Sequence, residues 1–461
     1  MICQNSVFEA ENNCLYRALY FFVAELIKCL FFEHVCARFR ESKLKLKVKN
    51  MLNILIINLI MTISFWSSTV VAEEENFDTI ANTEVLLVGN SVDGTVSFID
   101  SNTFESLGIV DIYPDRNKMN FFIYANPVRA VAYNVVKYKQ LLHHFEPGGG
   151  NRFVDDIFLS PNGRTLYVSR ANLGDVAAFD LTKADHPMIW RRFVAGFKAD
   201  HAAISPDGRR LVVSATSANK AQVFNARTGK VVASFKTGTY PHQNDYSHDG
   251  RYIYNSSIGN VGYKAVPYKK NHKKGKRLLI KVDALTNKVV KKWKFEFGIR
   301  PNIITKDDKI LYNQLSYFNG VVKYDLEKSE EISRNTQDLN EFALSTYKSF
   351  DEYPHDSSHH GLALSKDGKK LCDCGTISNT VAIINTDDMT TQSIADVGLV
   401  PYWATTSHDG KHCFVSLSGD NSVSVIDYET GDEIDEIPVG TFPQRSRLGV
   451  IPPRVKFFLR L

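Results

Sequence analysis

The chain carries none of the short signatures of the common catalytic machines. It has no Gly-x-Ser-x-Gly elbow, no His-Glu-x-x-His pair, no Walker loop and no Gly-x-Gly-x-x-Gly turn. Cys-x-x-Cys-His is absent as well, which excludes covalent c-type haem on this motif. Cysteine is sparse: seven in 461 residues do not make a disulfide scaffold. Neither sign of charge is in large excess. Lys+Arg total 55 against 51 Asp+Glu, a formal +4, so no global polyanion partner is implied. With 44% hydrophobic residues, 27 Gly and 15 Pro, the composition excludes a disordered or collagen-like chain and leaves ample material for a core.

The only clean apolar run is LNILIINLIMTISFW at 52–66, short for a membrane span of ~20 residues. Lys43, Lys45, Lys47 and Lys49 precede it, and small residues (Val70, Ala72) precede the acidic Glu73. Basic flank, apolar stretch and small residues at −3 and −1 predict a secretory signal cleaved before Glu73. The protein is then expected to be secreted or periplasmic. An uncleaved segment tethering it to a membrane is the alternative. Met51 stands directly before the signal, so translation starting there is a second expectation for residues 1–72. Four of the seven cysteines (Cys3, Cys14, Cys29, Cys36) lie in that stretch.

The rest of the chain repeats itself. Six segments of equal length read as an apolar run, a polar turn and an alternating run ending in Asp or Asn. Among them are YVSRANLGDVAAFD at 167–180, VVSATSANKAQVFN at 212–225 and FVSLSGDNSVSVID at 414–427. A seventh, Tyr254 to Asp283, has an insertion in its middle. This is a hairpin pattern. Before most hairpins stands Ser-x-Asp/Asn-Gly, as at Ser205–Gly208 and Ser407–Gly410, and Thr305–Asp308 is a copy without the Gly. After the hairpin comes a further short strand and a Gly. Gly208 to Gly250 and Gly368 to Gly410 are both separated by 42 residues. Four strands at that period predict an all-β, seven-bladed β-propeller over about 80–454. The first copy lacks its innermost strand. Residues 447–451 match such a strand and have no hairpin behind them, so they are expected to close the ring on the first blade.

These repeats resemble the YVTN-type propeller family, through SPDGRRLVVS at 205–214, TGKVVASFKTG at 228–238 and SVSVID at 422–427. The resemblance spans about residues 85–451. It implies the propeller fold and leaves the activity open, because such propellers range from binding proteins to lactonases and haem-carrying reductases.

Three insertions break the period: 113–153, 258–277 and 328–358. The second carries Lys269, Lys270, Lys273, Lys274, Lys276 and Arg277. That loop could meet an anionic surface or serve only as a solvated loop. Export speaks against nucleic acid. The third is expected to be partly helical over LNEFALSTYKSF.

Links of the form Gly-x-x-Pro join successive repeats, as at Gly238–Pro241, Gly298–Pro301, Gly398–Pro401 and Gly440–Pro443. Each leads into an innermost strand, so its residues should ring the channel mouth. Counting back from each turn selects Asp155, Asp200, His242, Arg300, His360 and Tyr402, none of them aliphatic. Gln444 follows the last link. His201, Asn302 and His359 are neighbours, with Asp156, Gln243 and Trp403. Converging polar, aromatic and ionisable groups at one concave mouth make the default binding site. The bland alternative is a water-filled channel. Imidazoles beside carboxylates also suit a divalent metal or a non-covalent haem, without diagnostic spacing. His355 and His359 are spaced as a helical metal pair, but Pro354 argues against a helix.

Cys372, Cys374 and Cys413 fall at core positions of adjacent repeats. They read as buried thiols, and a Cys372–Cys413 bridge is disfavoured because the two point to opposite strand faces. The sequence therefore describes a monomeric, exported propeller that binds a protein or small-molecule ligand at its channel mouth and does no chemistry. The rivals are a metal-dependent lactonase-like hydrolase and a haem- or metal-carrying redox protein.

Overall fold

A computed structural model describes residues 81–141, 150–261 and 266–460. The expected signal, its cleavage point and Met51 lie outside these residues. Among the described residues, twenty-eight strands form seven four-stranded antiparallel sheets. Blade one holds β1 (Thr83–Asn90), β2 (Thr95–Asp100) and β3 (Ser106–Asp111). Blade two holds β4 (Asp156–Leu159), β5 (Thr165–Arg170), β6 (Asp175–Asp180) and β7 (Met188–Phe193). Blade three runs from β8 (Ala199–Ile204) through β9 (Arg210–Ala215) and β10 (Lys220–Asn225) to β11 (Val231–Lys236). Blade four comprises β12 (Pro241–Tyr246), β13 (Tyr252–Ser257), β14 (Leu278–Asp283) and β15 (Val289–Lys294). In blade five they are β16 (Ile299–Ile304), β17 (Ile310–Leu315), β18 (Gly320–Asp325) and β19 (Glu330–Thr336). In blade six they are β20 (Leu362–Leu364), β21 (Lys370–Gly375), β22 (Thr380–Asn385) and β23 (Thr391–Asp396). Blade seven has β24 (Pro401–Thr406), β25 (His412–Leu417), β26 (Ser422–Asp427) and β27 (Glu433–Pro438). Finally β28 (Pro443–Ile451) returns to blade one.

That return is the expected closure, extended at its front to Pro443. β28 pairs antiparallel with β1 from Thr83↔Ile451 to Asn90↔Pro443. The innermost strands β4, β8, β12, β16, β20, β24 and β28 then each touch the next around the ring, and β28 touches β4. Among the described residues no gap is left in the circle, and blade one has its fourth strand.

Burial follows from position in a blade. The middle strands are covered on both faces by neighbouring blades, so β22 is buried from Thr380 to Ile384. The fourth strands form the outer wall, and in β27 only Ile437 is buried. The Ser-x-Asp-Gly turns are held by their own side chains. Ser205 Oγ donates to Asp207 Oδ1 at 2.6 Å, and Gly208 takes φ 69°, the left-handed region that a Cβ disfavours. In the copy without Gly, Asp308 itself adopts φ 61°. Asp tolerates that region better than most residues.

The insertions supply the helices. α1 (Arg116–Tyr124) and α2 (Pro127–Leu141) form a pair between blades one and two. α3 (Glu341–Thr346) lies in the third insertion, as expected, with Asn340 as its N-cap. α4 (Pro453–Leu459) follows β28 and buries Val455 and Leu459 against blade one. Among the described residues no helix is long and apolar enough to cross a membrane.

The disfavoured bridge is present. Cys372 of β21 and Cys413 of β25 are disulfide-bonded, with Cα atoms 6.5 Å apart, and Cys374 is a buried free thiol. The correction is geometric. In a ring, the leading face of one blade packs on the trailing face of the next. Side chains on opposite strand faces of adjacent blades are therefore the ones that meet.

Candidate functional site at the channel mouth

The register counted from the links is realised in space. Asp155, Asp200, His242, Arg300, His360, Tyr402 and Gln444 all line one cavity at the hub, of about 90 Å³. The backbone explains why. The pairing register of β8, β12, β16 and β24 with its neighbour is interrupted at the mouth, between Ala199 and Ala202, Pro241 and Asn244, Ile299 and Asn302, and Pro401 and Trp403. A bulge frees a residue from the ladder and re-aims its side chain. Asp200, His242, Arg300 and Tyr402 all sit inside these interruptions.

The immediate neighbours sit elsewhere. His359 is buried and pairs through Nδ1 with Asp373 at 2.8 Å. Asn302 and Gln243 bond each other, the Asn302 N–H donating to Gln243 Oε1 at 3.0 Å. Asp156 accepts from Arg447 at 2.9 Å and from the Ala202 N–H at 3.1 Å. His201 is fully buried beneath His242, ring centroids 4.0 Å apart, and its Nε2 meets the Arg445 guanidinium. Trp403 lies against both Arg445 and Arg447, at 4.4 and 4.7 Å. None of these neighbours lines the cavity, and Gln243, Asn302 and Trp403 line a second pocket with Arg447. His355 does reach the cavity, from a short 3-10 turn (Pro354–Asp356), and no helix joins it to His359.

Three lining cations were not selected by the count: Arg152, Lys198 and Arg445. Lys198 lies two positions before Asp200 and Arg445 one after Gln444, so reading the whole link, rather than one position of it, would have found both.

Charge in the cavity is lopsided. Four cations (Arg152, Lys198, Arg300, Arg445) face two carboxylates (Asp155, Asp200). Burial works against ionising Asp200, but Lys198 at 3.0 Å outweighs it and holds the carboxyl below its ordinary range. Burial, and then the Asp200 charge, push Asp155 up to about 7. Burial lowers His242 to about 3, with Arg445 and Arg300 opposing the upward pull of Asp200. His360 is also pushed well down, by burial and then by Arg445. Both imidazoles are neutral near pH 7. His360 donates from Nδ1 to the Tyr402 carbonyl at 3.0 Å and stacks on the Tyr402 ring at 4.1 Å. Its Nε2 is thereby left as the acceptor nitrogen. Burial brings Arg152 down to about 9, still charged at neutral pH. Asp155 Oδ1, His242 Nδ1 and Arg445 Nε are buried without a hydrogen-bond partner among the described residues.

A metal was one expectation. Asp200, His201 and His242 offer ligand atoms within 4.8 Å of one another, which is compatible with a divalent ion. The same atoms are contested: Lys198 holds Asp200, and Arg445 meets His201.

The basic insertion is split. Lys269, Lys270, Lys273 and Lys276 are exposed. Lys274 is buried and bonds Tyr317 Oη at 2.5 Å and the Asp356 carboxylate. Arg277 is buried, donating to the carbonyls of Gly275, Asn271 and Glu296. Those two are structural cations, so only four of the six expected there can face a partner.

No protein-family model matches the chain, and no curated protein does. Solved structures do. A proposed 6-phosphogluconolactonase from Bacteroides fragilis superposes with a TM-score of 0.53 at 16% identity, over 80% of this chain and 98% of that one. The dihydro-haem d1 dehydrogenase NirN, in complex with DHE, gives a TM-score of 0.49 at 12% identity, over 81% and 76%. At such identities the first likeness is one of fold, and the described residues form a seven-bladed β-propeller.

Proposed function

We propose that the protein is an exported, YVTN-type propeller whose channel mouth binds a small anionic ligand, a carboxylate or phosphate. The observation that supports this most is the cation excess in a cavity lined mostly by buried side chains. Arg152, Lys198, Arg300 and Arg445 face only Asp155 and Asp200, with neutral imidazoles between them. In so poorly screened a site an incoming anion gains charge-assisted hydrogen bonds that water does not match. Arg445, whose Nε lacks a hydrogen-bond partner among the described residues, lines the cavity. Tyr402 and Tyr240 give the mouth an aromatic rim.

The metal-dependent hydrolase is the second reading, favoured by the Asp200, His201 and His242 cluster. Cations on two of those three groups count against it. A cavity of about 90 Å³ is also small for a haem, beside the ~300–1,000 Å³ of typical ligand pockets.

Calorimetry with inorganic phosphate, citrate and simple sugar phosphates tests the proposal, together with metal analysis of the purified protein. One of these anions should bind in a salt-dependent manner, and Arg300→Gln should weaken it by about tenfold or more. Stoichiometric divalent metal with indifference to every anion would replace the binding reading by the hydrolase.

A further inference from the structure

The pair α1 and α2 serves no repeat and, among the described residues, reaches the mouth through Val136. Its inner side packs through Met119, Ile123 and Tyr133, all buried. Its outer side is apolar too. Phe121 is 71% exposed, and Tyr124, Val128, Val131, Val135 and Tyr138 are between 47% and 65% exposed. Val128, Val131, Val135 and Tyr138 follow spacings of three, four and three, which places them on one stripe of α2. Tyr133 lies on the other side. A helix packed on a domain needs one apolar face, and α2 has two.

The charge around this stripe is mainly basic, the acidic groups at its start, Asp111 and Asp115, being paired with Arg116 and with Arg170 and Arg191. From Arg116 to Leu141 there is no Asp or Glu, while Arg116, Lys118, Arg129 and Lys137 lie in the same stretch. The adjoining β7 continues the pattern with exposed Ile189 and Phe193 beside Arg191 and Arg192. Arg129 lies over the Phe193 ring at 4.0 Å and Arg191 over Phe122 at 5.5 Å, which joins the two elements into one surface. Exposed aromatic and branched side chains with a basic surround match the interface of an anionic bilayer. The apolar stripe enters the acyl boundary while Lys and Arg meet the headgroup phosphates. A second copy of this surface would bring like charges together.

We propose that the α1–α2 pair is a monotopic docking face for an anionic lipid surface. The proposal does not depend on the ligand of the mouth. Because α2 also lines the cavity, docking holds the mouth beside the headgroups.

Sedimentation of the full chain with phosphatidylcholine vesicles, with and without phosphatidylglycerol, tests this. The wild type should prefer the phosphatidylglycerol vesicles. V128D/V131D changes only exposed positions, so it should keep its melting curve while losing about tenfold or more in vesicle affinity. K118E/K137E should abolish the preference for phosphatidylglycerol. Both variants share the N-terminal apolar run of the wild type, so attachment through that run leaves them unchanged and overturns the proposal. A wild-type dimer that V128D/V131D dissociates, or a wild type that ignores both vesicles, overturns it as well.

Discussion

His242 illustrates how a single side chain reports its surroundings. It is neutral when folded, because burial lowers its pKa to about 3, whereas an unfolded imidazole titrates near ~6.5. A pKa depressed by folding contributes stability that is complete above about pH 6.5 and is lost as pH falls towards 3. His242→Gln should therefore flatten the fall in melting temperature between about pH 6.5 and 4. An unchanged slope would contradict the assignment. Arg170 makes the complementary case. It is fully buried, donating to Asp175 at 2.7 and 2.8 Å and to Asp115 at 2.7 Å. Arg170→Met leaves the buried Asp175 with only Arg191, at 3.8 Å, and should cost about 3–5 kcal/mol. R170M/D175L should recover part of that loss in a denaturant titration, because replacing both partners removes the orphaned charge. At this scale the sequence was legible where the backbone repeats. Asp200, His242, Arg300 and Tyr402 could be placed because each occupies the same step of a recurring link. Arg152 could not, because it ends an insertion that has no counterpart to align with.

Among the elements, the bridge between β21 and β25 carries a clear expectation. It closes a loop of 41 residues, for which chain entropy alone gives about 4 kcal/mol. Cys413→Ser should lower the melting temperature, and reductant should lower that of the wild type but not of the variant. Equal melting with and without reductant would show that the bridge does not form. The helices α1 and α2 were not foreseen. Pro127 at the first turn is a start signal, yet a stretch that breaks the 42-residue period offers no neighbour for comparison. The bulges at the mouth ends of β8, β12, β16 and β24 were also hidden. They leave the number of residues per repeat unchanged and alter only which backbone groups pair.

For the whole molecule, stability depends on closure. Each blade packs on two neighbours, and blade one is built from β1 to β3 plus β28. Leu448 sits opposite Leu86 in that pairing. Gly449→Pro, opposite Val85 in the same pairing, removes a ladder donor and should lower the melting temperature. It should also make the protein susceptible to proteolysis at both ends of blade one, whereas the same change in an outer strand such as β27 should be milder. Closure is legible in the sequence because one copy lacks a strand and one strand lacks a copy. The seven-bladed count follows from the same bookkeeping of hairpins.

The pairing of β28 with β1 also sets an order in time. The two strands are more than three hundred residues apart in the chain, and Arg445 and Gln444 travel with the later one. While the polypeptide is still emerging from the ribosome, six wedges can assemble, yet the hub has no floor on one side. The proposed capture of an anion would thus await the finished, released molecule, and a chain cut short before β28 should fail to hold one.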